Sequence, residues 1–133
     1  GLKIFEIGEK YYFEDLGLRN SIRSFNFRGD IGKLMENAVY LPLLRNGFRV
    51  FVGKDGDQEI DFMAERHGER LYIQVCYLLA DEHTIQREFG NLAAIDDNYP
   101  KYVVSMDPIV PKNTYKGIRQ ASLREFLLMS DFR

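Results

Sequence analysis

The chain has 133 residues, of which 45% are hydrophobic and 14% aromatic, so it can bury roughly two thirds of its unfolded surface as one ordinary domain. Its net charge of −2 gives no overall attraction to nucleic acid. The single cysteine, Cys76, excludes an intrachain disulfide, and no stretch approaches the ~20 apolar residues of a membrane-spanning helix. We therefore expect a cytoplasmic protein without membrane contact, and the initial Gly1 indicates a part excised from a longer chain.

The charge is unevenly distributed along the chain. Residues 55–100 carry 3 Lys or Arg against 11 Asp or Glu, whereas residues 1–54 carry 9 against 6 and residues 101–133 carry 6 against 3. An acidic middle between basic ends is typical of a metal site with phosphate-facing arms, and equally of a solvated acidic surface. The charge pattern leaves both interpretations open.

The first 28 residues are predicted to form an appendage, with a strand over 4–13 and a short helical stretch over 14–25. The remaining residues, 29–133, are predicted to form the main domain. Asp30 is a candidate N-cap for its first helix, because a short acidic side chain can accept a hydrogen bond from the first turn. The apolar spacing predicts that this helix buries a stripe made of Ile31, Leu34, Ala38, Leu41 and Leu44.

Asn46–Gly47 is expected to end the first helix, because glycine readily adopts the left-handed conformation that terminates helices. Pro42 lacks a backbone N–H and is expected to kink or divide the helix. From Phe48 onward the period changes to that of strands. Three antiparallel strands are predicted, with turns at residues 53–57 and 67–68: Phe48–Val52, Gln58–Glu65 and Arg70–Leu79.

A second helix and a fourth strand are predicted to follow. Asp81 can cap the helix, which carries the apolar residues Ile85, Phe89, Leu92 and Ile95. The strand Lys101–Ser105 comes next, and a helix between two strands implies that they pair in parallel, which makes the sheet mixed. Ser122 and Glu125 form a capping box ahead of a last helix, Leu123–Met129.

Three polar stations occur along this α-β-β-β-α-β order. Glu36 lies on the first helix, Glu59-Ile60-Asp61 on the second strand and Gln74-Val75-Cys76 on the third. A hairpin of the second and third strands can bring Asp61 and Gln74 together on one sheet face, and Glu36 can overhang that face. Such a cluster is typical of a divalent metal site.

The chain resembles the C-terminal domain of a group of prokaryotic AAA-type ATPases, which belongs to the PD-(D/E)XK nuclease superfamily. The resemblance covers about residues 10–130 and rests on these motifs: Gly32-x-x-x-Glu36-Asn37, Arg45-Asn46-Gly47-Phe48, Glu59-Ile60-Asp61-Phe62, Arg87-Glu88-Phe89 and Asp97-Asn98-Tyr99-Pro100-Lys101. It implies an α/β, restriction-endonuclease-like fold. It also implies that the ATPase domain of the parent chain is a partner. The present chain has no Gly-rich phosphate-binding loop, so no ATP site is assigned to it.

The resemblance assigns roles to the polar stations. Glu36, Glu59 and Asp61 would hold Mg²⁺ or Mn²⁺, and the catalytic positions would be Glu36, Asp61, Gln74 and Cys76. Where the superfamily has an acid and a lysine two residues apart, this chain has Gln74 and Cys76, which supply neither the anionic ligand nor the cation of the usual mechanism. Lys33 and Arg87 are candidate contacts to DNA or RNA.

Three functions remain open from the sequence. The preferred hypothesis is a nuclease-fold accessory domain of a larger ATPase, with a degenerate metal site, that binds nucleic acid or a protein partner. The alternative is an active Mg²⁺- or Mn²⁺-dependent nuclease in which Lys33 replaces the missing lysine. The third is a structural interaction module. For either of the first two, we predict carboxylates of Glu36 and Asp61 on the order of 4–6 Å apart and a buried, inert Cys76.

Overall fold

The computed structural model describes residues 3–6, 27–56, 58–79, 81–108 and 115–129. The predicted strand beyond residue 6 and the helical stretch at 14–25 lie outside these ranges. The elements are β1 (Lys3–Glu6), α1 (Phe27–Arg45), β2 (Arg49–Asp55), β3 (Gln58–Arg66), β4 (Glu69–Val75), α2 (Glu82–Ala93), β5 (Lys101–Ser105), β6 (Arg119–Ser122) and α3 (Leu123–Leu128).

The described strands form one mixed sheet in the order β1-β2-β3-β4-β5-β6. The pairs from β1 to β4 are antiparallel, whereas β4–β5 and β5–β6 are parallel. The α-β-β-β-α-β order predicted from the sequence is confirmed. Two elements extend it: β1 pairs with the outer edge of β2, and β6 pairs with β5.

Helices cover both faces of the sheet. Val39, Tyr40 and Leu43 of α1 pack with Phe126 of α3 against one face, in a cluster that includes Phe62 of β3. On the other face, Phe89 and Leu92 of α2 pack in a second cluster with strand residues such as Tyr72 and Val103. Apolar area removed from water on both faces is the main favourable contribution to folding. Strand β5 is buried along its whole length because it lies between these two clusters.

The predicted buried stripe of α1 is only partly correct. Leu41 and Leu44 are partly buried against the core, but Leu34 is 42% exposed, and the fully buried side chains among residues 31–45 are Met35, Val39, Tyr40 and Leu43. Apolar residues occur nearly all around this helix, so several faces satisfy helical spacing and only packing against the sheet selects one. The helix also begins at Phe27, so Asp30 is not its N-cap, although an acid near a helix start is favourable in either position.

Pro42 does not divide α1, which runs without interruption to Arg45. Buried residues on both sides of the proline, Tyr40 and Leu43, hold the helix against the sheet. The helix ends where the sequence predicted. Gly47 has a φ of 84°, its N–H donates to Leu44 O and that of Phe48 donates to Leu43 O, both at 3.0 Å, which is the Schellman arrangement.

The hairpin that carries the candidate site has a tight turn at one end and an irregularity near the other. Arg66 pairs with Glu69, so the turn is His67–Gly68. Both residues have positive φ, 54° and 76°, as a type I′ turn requires. Near the start of β3, the register against β2 shifts between Phe51 and Gly53. Phe51 pairs with Met63 and Gly53 with Ile60, so β2 advances by two residues where β3 advances by three. The extra residue in β3 makes this a β-bulge.

The remaining helix signals are confirmed. Asp81 accepts a hydrogen bond from Thr84 N–H at 2.7 Å and caps α2. Ser122 and Glu125 form the predicted capping box of α3. The short strand β6, which ends at Ser122, was not predicted. Its sequence, Arg-Gln-Ala-Ser, has a single apolar residue and therefore no alternating strand pattern. The strand forms by pairing with β5.

Candidate functional site

The side chains of Asp61 and Gln74 both make hydrogen bonds across β3 and β4. The N–H of Asp61 donates to Gln74 Oε1 at 2.8 Å, and the N–H of Val75 donates to Asp61 Oδ2 at 2.8 Å. Gln74 Nε2 donates to the backbone oxygen of Glu59 at 3.0 Å. Side chains therefore bridge the strands beyond Phe62–Ile73, the last regular backbone pair of this ladder. The predicted proximity of Asp61 and Gln74 is a feature of the structure.

The bulge in β3 positions Asp61. Ile60 and Met63 pack in the cluster beneath α2, whereas Phe62 packs in the cluster beneath α1. Regular alternation would send Ile60 and Met63 to opposite faces, so the extra residue falls between them, at Asp61–Phe62. The extra residue interrupts the ladder, so the carboxylate of Asp61 can bond the backbone of β4. A bulge at this place is typical of strands that aim a polar side chain into a site.

Acidic side chains approach Asp61 from both helical layers. Burial is the main cause that raises the pKa of Asp61 from 3.8 to about 8; the hydrogen bond from Val75 opposes it, and the charges of Glu36, Glu88 and Glu59 add to it. Burial also raises the pKa of Glu36, with Lys33 lowering it. The carboxyl of Asp61 is therefore mostly protonated at neutral pH, because water is excluded and the nearby charges are negative.

Cys76 is partly buried and packs beside the cluster under α2. Burial raises the pKa of its thiol to about 12, and the charges of Glu88, Asp107 and Asp61 act in the same direction. A thiol with this pKa remains protonated at neutral pH, and the thiolate is the reactive form. The side chain at position 76 is therefore a neutral group.

The described residues do not fit a divalent cation site of the usual kind. No group of three or more His, Cys, Asp or Glu side chains among them is arranged to hold a metal ion. The carboxylate of Glu59 is 61% exposed and lies 3.8 Å from Lys54 Nζ, so Glu59 reaches Gln74 through its backbone oxygen alone. The amide of Gln74 is already bonded at both its oxygen and its nitrogen.

The two candidate cations lie on the helices that flank the acidic residues. Lys33 is exposed on α1, one turn before Glu36, and its charge lowers the pKa of that carboxyl. Arg87 is 57% exposed on α2, and its Nη2 lies 3.4 Å from Glu88 Oε1. Both cations are thus close to carboxylates of the site.

Sequence reasoning named Arg87 on α2 but missed Glu88 and Asn91 as residues of the site. Glu88 is only 13% exposed, and burial raises its pKa. Asn91, one turn further along, donates from Nδ2 to the backbone oxygen of Glu59 at 3.2 Å. The spacing of Ile85, Phe89 and Leu92 contained the signal, because a residue three positions after Ile85 lies beside the buried stripe.

Comparison with known proteins places the chain next to one of unestablished function. It is 37% identical over 97 residues to an uncharacterized protein of Haemophilus influenzae (strain Rd). The match covers 72% of this chain and 23% of that protein, so the chain spans about a quarter of the relative's length. No protein-family profile matches the chain, and no solved structure matches it.

None of the helices in the described ranges is long and apolar enough to cross a membrane.

Proposed function

We propose that this chain is a nuclease-like accessory domain that has lost phosphodiester cleavage and binds nucleic acid on behalf of a larger AAA-type ATPase. The α-β-β-β-α-β order and the meeting of Asp61 with Gln74 support the likeness to PD-(D/E)XK nucleases. The match to 23% of a relative supports a place within a longer protein, where the ATPase domain is the expected partner.

The observation that carries this proposal is the state of Gln74. Its oxygen accepts from Asp61 N–H and its nitrogen donates to Glu59 O, so the amide closes the hairpin. The amide oxygen has a second lone pair, but it is uncharged and brings no negative charge to a hard cation. Gln74 is therefore a structural bridge in the position where an active enzyme has an anionic ligand.

The two neighbouring groups support the same conclusion. Cys76 is neutral and contributes no fixed cation to steer an attacking water. Burial, together with the charges of Glu36, Glu88 and Glu59, raises the pKa of Asp61 to about 8, so a cation bound there would have to displace a proton at neutral pH. Cleavage therefore lacks an anionic ligand at Gln74 and a cation at Cys76.

The test is cleavage and binding measured on the same panel of single-stranded, duplex and branched DNA and RNA, with Mg²⁺ or Mn²⁺. We expect binding that weakens as salt rises, because phosphate contacts release counterions, and no cleavage. The matched variant is Asp61→Ala, which should leave binding and the absence of cleavage unchanged. Binding to none of these nucleic acids would refute the proposal.

The competing function is an active metal-dependent nuclease. The observation that favours it is the convergence of Glu36, Glu88 and Glu59, whose charges act on the buried carboxyl of Asp61. In that case the wild-type domain would cleave in Mn²⁺, Asp61→Ala would abolish cleavage, and Lys33→Met would reduce it. That set of results would replace our proposal.

A further inference from the structure

A pocket of ≈ 280 Å³ lies where the end of α2 meets the turn that precedes β6. Leu92 and Ile118 in its lining are buried and belong to the cluster beneath α2, so the innermost part of the lining is apolar. None of its lining residues belongs to the acidic site. We call it the turn pocket, and its polar and aromatic lining consists of Asp97, Asn98, Tyr99, Lys101 and Lys116.

The turn over residues 115–118 carries one cation of this pocket. Tyr115 and Ile118 exchange backbone hydrogen bonds at 3.0 and 2.9 Å. Lys116 and Gly117 between them have φ of 51° and 79°, as a type I′ turn requires. The turn is anchored, because Ile118 is buried and the Tyr115 ring packs edge-on against Phe89 with 5.3 Å between the ring centres. Lys116 therefore reaches the pocket from a fixed backbone.

Lys116 supplies the net charge of the turn pocket. Its Nζ lies 5.5 Å from the centre of the Tyr115 ring, and no carboxylate in the described ranges pairs with it. The other cation, Lys101, is neutralised by Asp97, whose Oδ1 lies 2.8 Å from Lys101 Nζ. Two cations and one anion therefore leave one positive charge, which matches a phosphodiester better than the double negative charge of a terminal phosphate.

Asn98 and Tyr99 supply the uncharged contacts of the pocket. Asn98 is exposed, and its side-chain amide makes no hydrogen bond to the described part of the chain, so its donor and acceptor are both available. The Tyr99 ring is 41% exposed. Its backbone is fixed, because its N–H donates to Asp97 Oδ1 and its oxygen accepts from Lys101 Nζ, both at 3.0 Å. Such a ring can stack on any nucleobase, and an amide can pair with the edge of a base.

We propose that the turn pocket binds one nucleotide unit of a single-stranded nucleic acid, with the phosphodiester on Lys116, the base on Tyr99 and the edge of the base on Asn98. The proposal rests on the proposed function, because it gives the nucleic-acid contact a place. That place lies outside the acidic site, whose carboxylates repel phosphate. The volume supports a single unit, since it lies near the lower limit of ~300–1,000 Å³ for ligand pockets.

The first test is the affinity of the whole chain for short fluorescent single strands of DNA and RNA, measured over a range of salt concentrations. Lys116→Gln should weaken binding and reduce the slope of log affinity against log salt by about 0.7, as expected for the loss of one phosphate contact to a single strand. A folded Lys116→Gln variant with the wild-type slope would contradict the proposal.

Arg124→Gln is the matched control for this change. It also removes one positive charge, but Arg124 is exposed on α3 and lies outside the pocket. It should leave the salt slope unchanged and the affinity within about twofold of wild type.

The base contact is tested by a second pair of variants. Tyr99→Leu should weaken strand binding about tenfold, because a stacked base typically contributes this much, and it should leave the salt slope unchanged. Asn98→Asp keeps the proposal testable if Tyr99→Leu destabilises the fold. It adds a negative charge to the lining at an exposed position, so it should weaken binding about threefold to tenfold. Unchanged binding by a folded Asn98→Asp variant would overturn the assignment.

Two further ligands identify what the pocket recognises. A nucleoside monophosphate should compete weakly with the strand; if it binds as tightly as the strand, the occupant is a free nucleotide and the strand assignment is overturned. If an acidic peptide competes as well as the strand, the pocket recognises protein instead. Strand binding unaffected by all three pocket variants would remove the pocket and leave the proposed function standing. Binding to no strand at all would remove both.

Discussion

Asp61 and Gln74 use their side chains to bridge β3 and β4 where regular backbone pairing stops. The bonds to Asp61 Oδ2 and Gln74 Oε1 are both 2.8 Å long, and the first of them is retained when Asp61 is protonated. Burial makes the protonated form the preferred one, so the local structure is that of a neutral hydrogen-bonded pair. This makes the pH dependence of stability a direct test of the site.

Asp61→Asn should remove a loss of stability that the wild type suffers as pH rises. Between pH 3.8 and about 8 the folded protein retains a proton on Asp61 that the unfolded chain has released. The contribution of Asp61 to the free energy of unfolding is therefore complete below pH 3.8 and is lost as pH rises toward 8. The melting temperature of Asp61→Asn, relative to wild type, should increase between about pH 5 and about pH 9.

Asp81→Asn is the control with the opposite sign. The hydrogen bond from Thr84 N–H is the main cause that lowers the pKa of Asp81. Its contribution is therefore present above its unfolded pKa and is lost as pH falls. The difference in melting temperature between Asp81→Asn and wild type should change only at acid pH. If the difference in melting temperature between Asp61→Asn and wild type does not change with pH, Asp61 is ionised in the folded protein.

Gln74 and Asn91 should show energetic coupling, because both donate to the backbone oxygen of Glu59. Gln74→Leu leaves the buried N–H of Asp61 without its acceptor, and we expect a loss of about 2 kcal/mol in the free energy of unfolding. Asn91→Ala alone should cost less, because Gln74 still satisfies Glu59 O. In urea unfolding, the double variant should lose more free energy of unfolding than the two single variants added together, by at least ~0.5 kcal/mol. Additive losses would mean that the two amides act independently.

Helix α1 shows how packing selects among several apolar faces. Leu34 and Leu43 are the same residue type on the same helix, but Leu34 is 42% exposed and Leu43 is fully buried. Leu43→Ala should therefore lower the free energy of unfolding by about 2–5 kcal/mol, while Leu34→Ala should change it by less than about 0.5 kcal/mol. Thermal or urea unfolding of the two variants measures the difference. Equal losses in the free energy of unfolding would show that Leu34 is buried, as the sequence predicted.

The connection from α2 to β5 depends on one partly buried ion pair. Lys101 is 9% exposed, and its Nζ donates to Asp97 Oδ1, Asp97 O and Tyr99 O at 2.8, 2.9 and 3.0 Å. Asp97 Oδ2 accepts from Tyr72 OH at 2.6 Å. Burial acts to raise the pKa of Asp97, but the hydrogen bonds from Lys101, Tyr72 and Tyr99 N–H outweigh it, so the pKa is lowered.

Asp97→Asn should destabilise the domain by about 3 kcal/mol, because it leaves the buried ammonium of Lys101 without a counter-charge. Asp96→Asn is the matched control, since Asp96 is exposed, and its effect should be within about 0.5 kcal/mol. Urea unfolding at neutral pH measures both.

The whole domain should be indifferent to divalent metal. A ligand that binds only the folded state stabilises it by roughly 2.7 kcal/mol at about a hundred times its Kd, so metal binding is visible as a rise in Tm. We expect no rise for the wild type in Mg²⁺ or Mn²⁺ relative to EDTA. The double variant Gln74→Glu with Cys76→Lys adds an anionic ligand and a nearby cation, and it should show a rise in Mn²⁺.

The single variants are the controls for this restoration. Gln74→Glu alone should respond less to Mn²⁺, and Cys76→Lys alone should mainly destabilise, because its cation is partly buried without a counter-acid. A wild-type Tm that rises in Mn²⁺, with the rise lost in Asp61→Asn, would favour the active nuclease. A folded double variant without any response would remove the degenerate-site interpretation.

The sequence by itself determined the elements whose signals are local. The switch from helical to alternating period, the Asn46–Gly47 stop, the His67–Gly68 turn and the caps at Asp81 and Ser122 each depend on a few neighbouring residues, and the structure confirms them. The same elements also predicted, from the sequence alone, that Asp61 and Gln74 lie on adjacent strands.

Tertiary structure alone decided the features that depend on residues distant in sequence. It selected the buried face of α1, because apolar residues surround that helix and only the sheet distinguishes among them. It created β6, whose sequence has little strand pattern, through pairing with β5. It placed the bulge at Asp61, raised the pKa of that carboxyl by burial, and gathered Asn98, Tyr99, Lys101 and Lys116 around one pocket. Packing, burial and pocket formation are sums over the whole fold, so no local pattern in the chain contains them.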